Sequence, residues 1–131
     1  ETIFAQIVAD QWKVKPDDVV VSLADTASIQ MGFGTIASRS TVNMSGAIHV
    51  ASERLRARIF AIAGNAMECA PEDLELRDGR VALVGVPGKS MSLAEVSRAA
   101  RPGWDNLRPE GIDAGLEETY YWEPPTVTWS Y

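Results

Sequence analysis

At 131 residues, 46% of them hydrophobic and 23% charged, the chain has the length and composition of one globular domain with a buried core. A formal net charge of −6 disfavours a nucleic-acid or anionic-membrane partner, because phosphate contacts draw on Lys and Arg. The single cysteine, Cys69, excludes an internal disulfide and a cysteine-ligated iron–sulfur cluster within these residues. No apolar run approaches the roughly 20 residues of a transmembrane helix, so no transmembrane segment and a cytoplasmic location are expected. The chain opens inside a helical pattern without an initiator methionine, which fits a piece of a longer polypeptide.

In chain order, Ile3, Phe4, Ile7, Val8 and Trp12 form an amphipathic stripe that predicts a first helix over residues 2–14. Pro16-Asp17-Asp18 ends it, and Val19-Val20-Val21-Ser22-Leu23 reads as a short buried strand. Residues 25–41 are loop. From Val42 to Ala70, Met44, Ile48, Ala51, Leu55, Ile59, Ile62 and Ala66 recur at spacings of three and four, predicting one long helix with an apolar face. Pro71-Glu72-Asp73-Leu74 then echoes Pro16-Asp17-Asp18-Val19, which predicts two similar helix-to-strand junctions.

Asp78-Gly79 between Leu74-Glu75-Leu76 and Val81-Ala82-Leu83-Val84 predicts a β-hairpin, since both turn positions need φ > 0. Ser92-Leu93-Ala94-Glu95 is a capping box opening a short helix to Ala100, stopped by Arg101-Pro102-Gly103. Residues 101–115, rich in Pro and Gly, read as a surface loop. The β-propensity of 116–122 and 127–131 predicts two further strands. The sum is α+β: one (sub)domain, residues 1–131, with a mixed sheet packed on one long and two shorter helices.

The stretch with chemical content is Met31-Gly32-Phe33-Gly34-Thr35-Ile36-Ala37-Ser38-Arg39-Ser40-Thr41, which runs into the long helix. Its glycines permit tight turns, its hydroxyl and guanidinium groups are donors, and a helix N-terminus presents free N–H groups and a positive dipole end. This is the chemistry of a phosphate-bearing ligand. The competing account is a polar linker in which Ser40 or Thr41 merely caps the helix. Neither a Walker loop nor a Rossmann fingerprint is present, because the Gly-Lys-Ser/Thr and the third glycine are missing.

Gly-Phe-Gly-Thr-Ile-Ala-Ser-Arg-Ser-Thr, some ten residues after Asp25-Thr26, resembles the molybdopterin-binding large subunit of molybdenum hydroxylases. That family includes carbon monoxide dehydrogenase, xanthine dehydrogenase and aldehyde oxidase. Glu1-Thr2-Ile3-Phe4-Ala5-Gln6-Ile7-Val8-Ala9-Asp10 is similar to the family segment just C-terminal to its Gln-Gly-x-Gly motif. The resemblance covers essentially the whole chain but only a slice of a family subunit. It implies that Gly34, Thr35, Ala37, Ser38, Arg39, Ser40 and Thr41 lie along the pterin and phosphates of a molybdopterin cofactor, in the cytosine dinucleotide form. Ala37 leaves room for close approach, and Ser38 and Ser40 donate. Arg39 offers a fork to phosphate or pairs with a structural carboxylate; both alternatives stand.

The resemblance further implies a parent oxidoreductase that hydroxylates aldehydes or N-heterocycles with water-derived oxygen, or oxidises carbon monoxide. Its partners are the rest of the large subunit and iron–sulfur and flavin subunits or domains. Molybdenum is held there by the cofactor's own dithiolene sulfurs, so the missing protein ligand cluster carries no weight. The family's glutamate base lies in a Gly-x-Gly-Glu segment outside these residues, so no catalytic residue and no metal ligand is expected within 1–131. The isolated chain is expected to be inactive and to hold no complete cofactor. The alternative is a stand-alone, non-catalytic anion-binding or protein-interaction domain. His49, the lone histidine, reads as structural or surface, and Cys69 as a buried thiol. Tyr120, Tyr121, Trp122 and Trp129 read as core strand, with a ligand site or interface as the other option.

Overall fold

The computed structural model describes residues 2–23, 25, 27, 32, 34–103 and 106–124. Helix α1 spans Thr2–Trp12 and buries Ala9 and Trp12. Helix α2 runs from Ser40 to Met67, 28 residues, about 42 Å at 1.5 Å per residue. The two pack together, and the buried Trp12 Nε1–H donates to the buried Ser52 Oγ at 3.1 Å. Arg56 reinforces the crossing by donating to the Gln11 carbonyl at 2.9 Å.

Both helices end alike. Lys13 (φ 52°) and Glu68 (φ 53°) are left-handed, and the next residue's N–H reaches back five positions, Val14 to the Ala9 carbonyl at 3.1 Å and Cys69 to the Gly64 carbonyl at 2.9 Å. This is the Schellman closure, which satisfies carbonyls the helix leaves unpaired. Gly64 is required there, because a Cβ would sit 2.9 Å from the Cys69 carbonyl oxygen. Each closure leads into one turn of 3-10 helix, Pro16–Asp18 and Pro71–Asp73. The predicted echo is therefore a real repeat of backbone geometry.

The outcomes then diverge. After Asp73 the chain forms β1 (Leu74–Arg77), which turns through Asp78 (φ 49°) and Gly79 (φ 67°) into β2 (Arg80–Leu83). The register Arg77↔Arg80 to Leu74↔Leu83 leaves the two-residue loop expected. A third strand, β3 (Ser90–Ser92), pairs antiparallel with β2; three residues carry too little pattern for sequence to reveal it. After Asp18, by contrast, Val19–Leu23 forms no strand, and Val20 is 93% exposed. The segment pairs with neither outer strand of the sheet, and aliphatic content alone does not make a sheet. Residues 116–122 likewise form no strand, and 127–131 lie outside the described residues. The α+β class holds, with one long and two shorter helices; among the described residues the three-stranded sheet is antiparallel throughout rather than mixed.

Helix α3 (Leu93–Ala99) starts at the expected capping box. Ser92 Oγ accepts from the Glu95 N–H at 3.2 Å, and Glu95 accepts from the Ser92 N–H at 2.7 Å. The Glu95 carboxylate also accepts from the Ser92 hydroxyl at 2.8 Å, and the bonds it accepts from Ser92, backbone first and hydroxyl second, hold it below its ordinary value, with Arg80 and Arg98 adding attraction. The core lies between the C-terminal half of α2, the sheet and α3. Ile59, Ile62, Ala63, Met67, Leu74, Val81, Val96, Ala99 and Ala100 are buried, with Trp12 at its edge. Each large aliphatic chain there contributes about 1.5–3 kcal/mol.

The segment after α3 is stapled to this core: Leu107 and Gly115 donate backbone bonds to the Ala99 and Ala100 carbonyls at 3.1 and 3.0 Å. From Glu117 the chain turns back along α2. Arg58 donates to the Glu117 carbonyl at 3.0 Å, and Glu118 accepts from both Arg54 and Arg58 at 3.3 Å. The Arg54 guanidinium lies 4.7 Å from the Tyr120 ring centroid, and Trp122 covers Gly46.

Candidate functional site

Helix α2 begins two residues earlier than its apolar period predicts, and this changes the roles of Ser40 and Thr41. They are its first two residues, not caps. Arg39 occupies the capping position in a right-handed conformation (φ −83°) with no side-chain cap hydrogen bond. The first helical bond runs from the Asn43 N–H to the Arg39 carbonyl, 2.9 Å. The N–H groups of Ser40, Thr41 and Val42 thus have no acceptor within the helix, and no acidic residue stands in the first turn to answer the positive dipole end. The account of this stretch as a linker capped by Ser40 or Thr41 loses its cap.

The residues before the helix are drawn tight. Arg39 N–H closes a turn on the Ile36 carbonyl at 3.3 Å. Gly34 has φ 70°, as a glycine tolerates, but Ala37 (φ 56°) and Ser38 (φ 55°) are also left-handed and carry Cβ atoms. A left-handed L-residue costs roughly 1–2 kcal/mol. Burial does not offset that cost, since Ala37 and Ser38 are both exposed. Strain held in an exposed segment points toward a ligand as the reason for it. The sequence signals the glycines; it does not signal the conformation of Ala37 and Ser38.

The structure therefore places Gly34, Thr35, Ala37, Ser38, Arg39, Ser40 and Thr41 in one continuous turn at the N-terminus of α2. Gly34 to Ser38 and Thr41 are exposed, and Arg39 and Ser40 half-buried. A Cβ added at Gly32 or Gly34 would meet nothing within 4 Å, so a ligand can approach the backbone there. The donor set is backbone N–H, four hydroxyls and one guanidinium, with no carboxylate between residues 34 and 41. Such a set suits an anionic, hydrogen-bond-accepting group.

A family profile described as "Molybdopterin cofactor-binding domain" matches residues 1–131. The chain belongs to that family. As a molybdopterin cofactor-binding domain, it is 31% identical over its full 131 residues to the carbon monoxide dehydrogenase large chain of Afipia carboxidovorans, covering 16% of that protein. It is 32% identical over 124 residues, 94% of its length, to the nicotine 6-hydroxylase large subunit of Paenarthrobacter nicotinovorans, covering 15% of it. Among solved structures, quinoline 2-oxidoreductase from Pseudomonas putida 86 superposes with a TM-score of 0.81 at 42% identity, over 95% of this chain and 16% of that one. The domain thus spans about a sixth of the length of these relatives.

Other expected features fall outside the loop. His49 is exposed on α2, and Cys69, packed against the rim of the core, is half-buried rather than buried. Among the described residues, no group of three or more His, Cys, Asp or Glu side chains can hold a metal ion, and no helix is long and apolar enough to cross a membrane. Two shallow grooves lie elsewhere, one around Gln11, His49, Glu53 and Arg56, the other along the hairpin by Arg77, Arg80 and Lys89. Both mix charges of the two signs and lack the convergent donors of the loop.

Proposed function

We propose that residues 34–41 hold the pterin and phosphate portion of a molybdopterin cofactor, in its cytosine dinucleotide form. The observation that carries this reading is the start of α2: without a side-chain cap from Arg39, without an acidic residue in its first turn, and preceded by two strained, exposed left-handed residues. The N–H groups of Ser40, Thr41 and Val42 donate to phosphate at the positive end of the helix, and the hydroxyls of Thr35, Ser38, Ser40 and Thr41 add neutral donors. Gly34 and Ala37 keep the backbone accessible. Arg39 supplies the charge that a phosphate needs.

On this reading the 131 residues are one unit, with 101–115 as a surface loop, of a larger cofactor domain in the large subunit of an oxidoreductase. When bound, the cofactor supplies the molybdenum at which an aldehyde or N-heterocycle C–H bond, or carbon monoxide, is oxidised with water-derived oxygen. The rest of the large subunit and iron–sulfur and flavin modules complete the enzyme, in the cytoplasm. The chain alone is inactive: substrate-dependent dye reduction by residues 1–131 would contradict that statement.

The test is to replace Thr35, Ser38 and Ser40 together by alanine in the large subunit and to measure pterin and molybdenum per polypeptide. Each hydrogen bond to a charged group contributes about 1.5–3 kcal/mol, so the content is expected to fall at least about ten-fold. Unchanged content would leave the loop as a surface element and favour a non-catalytic interaction domain.

A further inference from the structure

The N-terminal half of α2 has almost no core beneath it. The helix's buried residues are Ser52, Ile59, Ile62, Ala63, Gly64 and Met67, all at or near its middle or beyond, while Val42 is 50% exposed. Yet this is the half that carries the candidate loop. Helix α1 packs on this half at Ser52, and toward the helix start a further support comes from the segment C-terminal to the third helix.

That segment runs antiparallel to α2 with contacts in strict order. Glu117 and Glu118 meet Arg58 and Arg54, Tyr120 meets Arg54, and Trp122 meets Gly46. From the midpoint of Arg54 and Arg58 to Gly46 the helix covers about 15 Å. Four residues of extended chain, Glu118 to Trp122, reach about 13 Å, comparable to that length. One carboxylate receives two guanidinium groups at the near end. At the far end the indole lies so close to the helix that a Cβ at position 46 would fall 2.4 Å from two of its ring carbons.

Glycine inside a helix is a weak helix former, and here its missing side chain is the seat of the indole. The Trp122 Nε1–H is buried without a hydrogen-bond acceptor, so packing on Gly46 rather than a polar bond fixes the ring. Gly46 stands six residues, about 9 Å, from the start of α2.

We infer that Glu117–Trp122 is a strap that positions the cofactor loop, with Trp122 on Gly46 as its positioning contact. The inference rests on the proposed role of residues 34–41 as the cofactor site. Trp122 does not touch the ligand; it sets the direction from which the N–H groups of Ser40 to Val42 are presented.

The test compares the large subunit carrying Trp122→Ala, Gly46→Ala, and both changes. Amide hydrogen exchange in residues 40–51 rises about ten-fold or more with Trp122→Ala, while exchange in 59–67 changes by less than about three-fold. Pterin content falls in the same samples. Gly46→Ala alone lowers pterin content by forcing the indole away, and the double variant is no worse than Trp122→Ala, since the clash has lost its partner. If Trp122→Ala keeps full pterin content while the Thr35/Ser38/Ser40 variant loses it, the strap does not position the loop and the inference falls, with the site intact. If neither variant loses pterin, the site reading itself falls and takes the inference with it. A Gly46→Ala protein that fails to fold leaves the decision to Trp122→Ala, whose lost indole creates no clash.

Discussion

The two halves of α2 share one helix and one periodicity, yet they answer to different partners. The C-terminal half buries Ile59, Ile62, Ala63 and Met67 against the sheet and α3, and ends in a closed Schellman cap. The N-terminal half leaves Val42 and Met44 exposed and begins without a side-chain cap from Arg39, after a strained turn in which Ile36 is 61% exposed. The C-terminal half is organised by its own chain. The N-terminal half is braced instead by the segment from Glu117 to Trp122. A helix dipole that is satisfied at one end and open at the other is a device for pointing donors.

This contrast can be broken most forcefully at the C-terminal half. Ile62 is fully buried, so Ile62→Ala should lower stability by about 3 kcal/mol, read as a shift of the denaturation midpoint. Gly64→Ala should cost about 2 kcal/mol, because its Cβ would press on the Cys69 carbonyl that the helix closure holds in place. A melting temperature unchanged by either substitution would mean that these contacts do not hold the C-terminal half together.

Smaller effects sharpen the comparison at the caps. Ser92→Ala removes the α3 capping box and should cost about 1 kcal/mol. The same pair predicts a pH dependence. Because the hydrogen bonds to Ser92 depress the Glu95 carboxyl, its stabilisation is fully present above the ordinary glutamate value of 4.5 and is lost as pH falls through the lower folded value. The gap between wild type and Ser92→Ala should narrow as pH falls through that acid window, down to the pH-independent bond from the Glu95 N–H to Ser92 Oγ. A constant gap at every pH would show that the ionised carboxylate is not involved. At the other sign, Glu68→Gly relieves a left-handed residue and should raise stability by about 1 kcal/mol. Smallest of all, replacing the exposed Thr35 and Ser38 by alanine should change stability by no more than about 0.5 kcal/mol, even as the proposed reading expects cofactor content to fall.

The difference between the halves also explains what could be read in advance. The long helix, the Asp78-Gly79 hairpin and the Ser92–Glu95 capping box are set by neighbours in sequence and form as expected, while of the two helix-to-strand junctions expected at Pro16 and Pro71 only the second leads into a strand. Val19–Leu23 and 116–122 have the composition of strands, but pairing needs an edge, which is a property of tertiary structure. The sheet is antiparallel for the same reason: only the hairpin and the three-residue β3 find edges among the described residues. At the candidate site, Gly34 and the hydroxyl residues were legible because glycine and side-chain donors have local meaning. The left-handed Ala37 and Ser38 were not, since those residue types rarely adopt that conformation, and the Trp122–Gly46 contact joins positions far apart in sequence.

The most direct measurement is amide hydrogen exchange of the large subunit with and without its molybdopterin cofactor. Exchange in residues 34–42 is predicted to slow about ten-fold or more when the cofactor is bound, while residues 59–67 exchange at the same rate in both forms. Equal exchange of residues 34–42 in the two forms, or protection gained at the hairpin instead, would contradict the assignment of the open end of α2 to the cofactor.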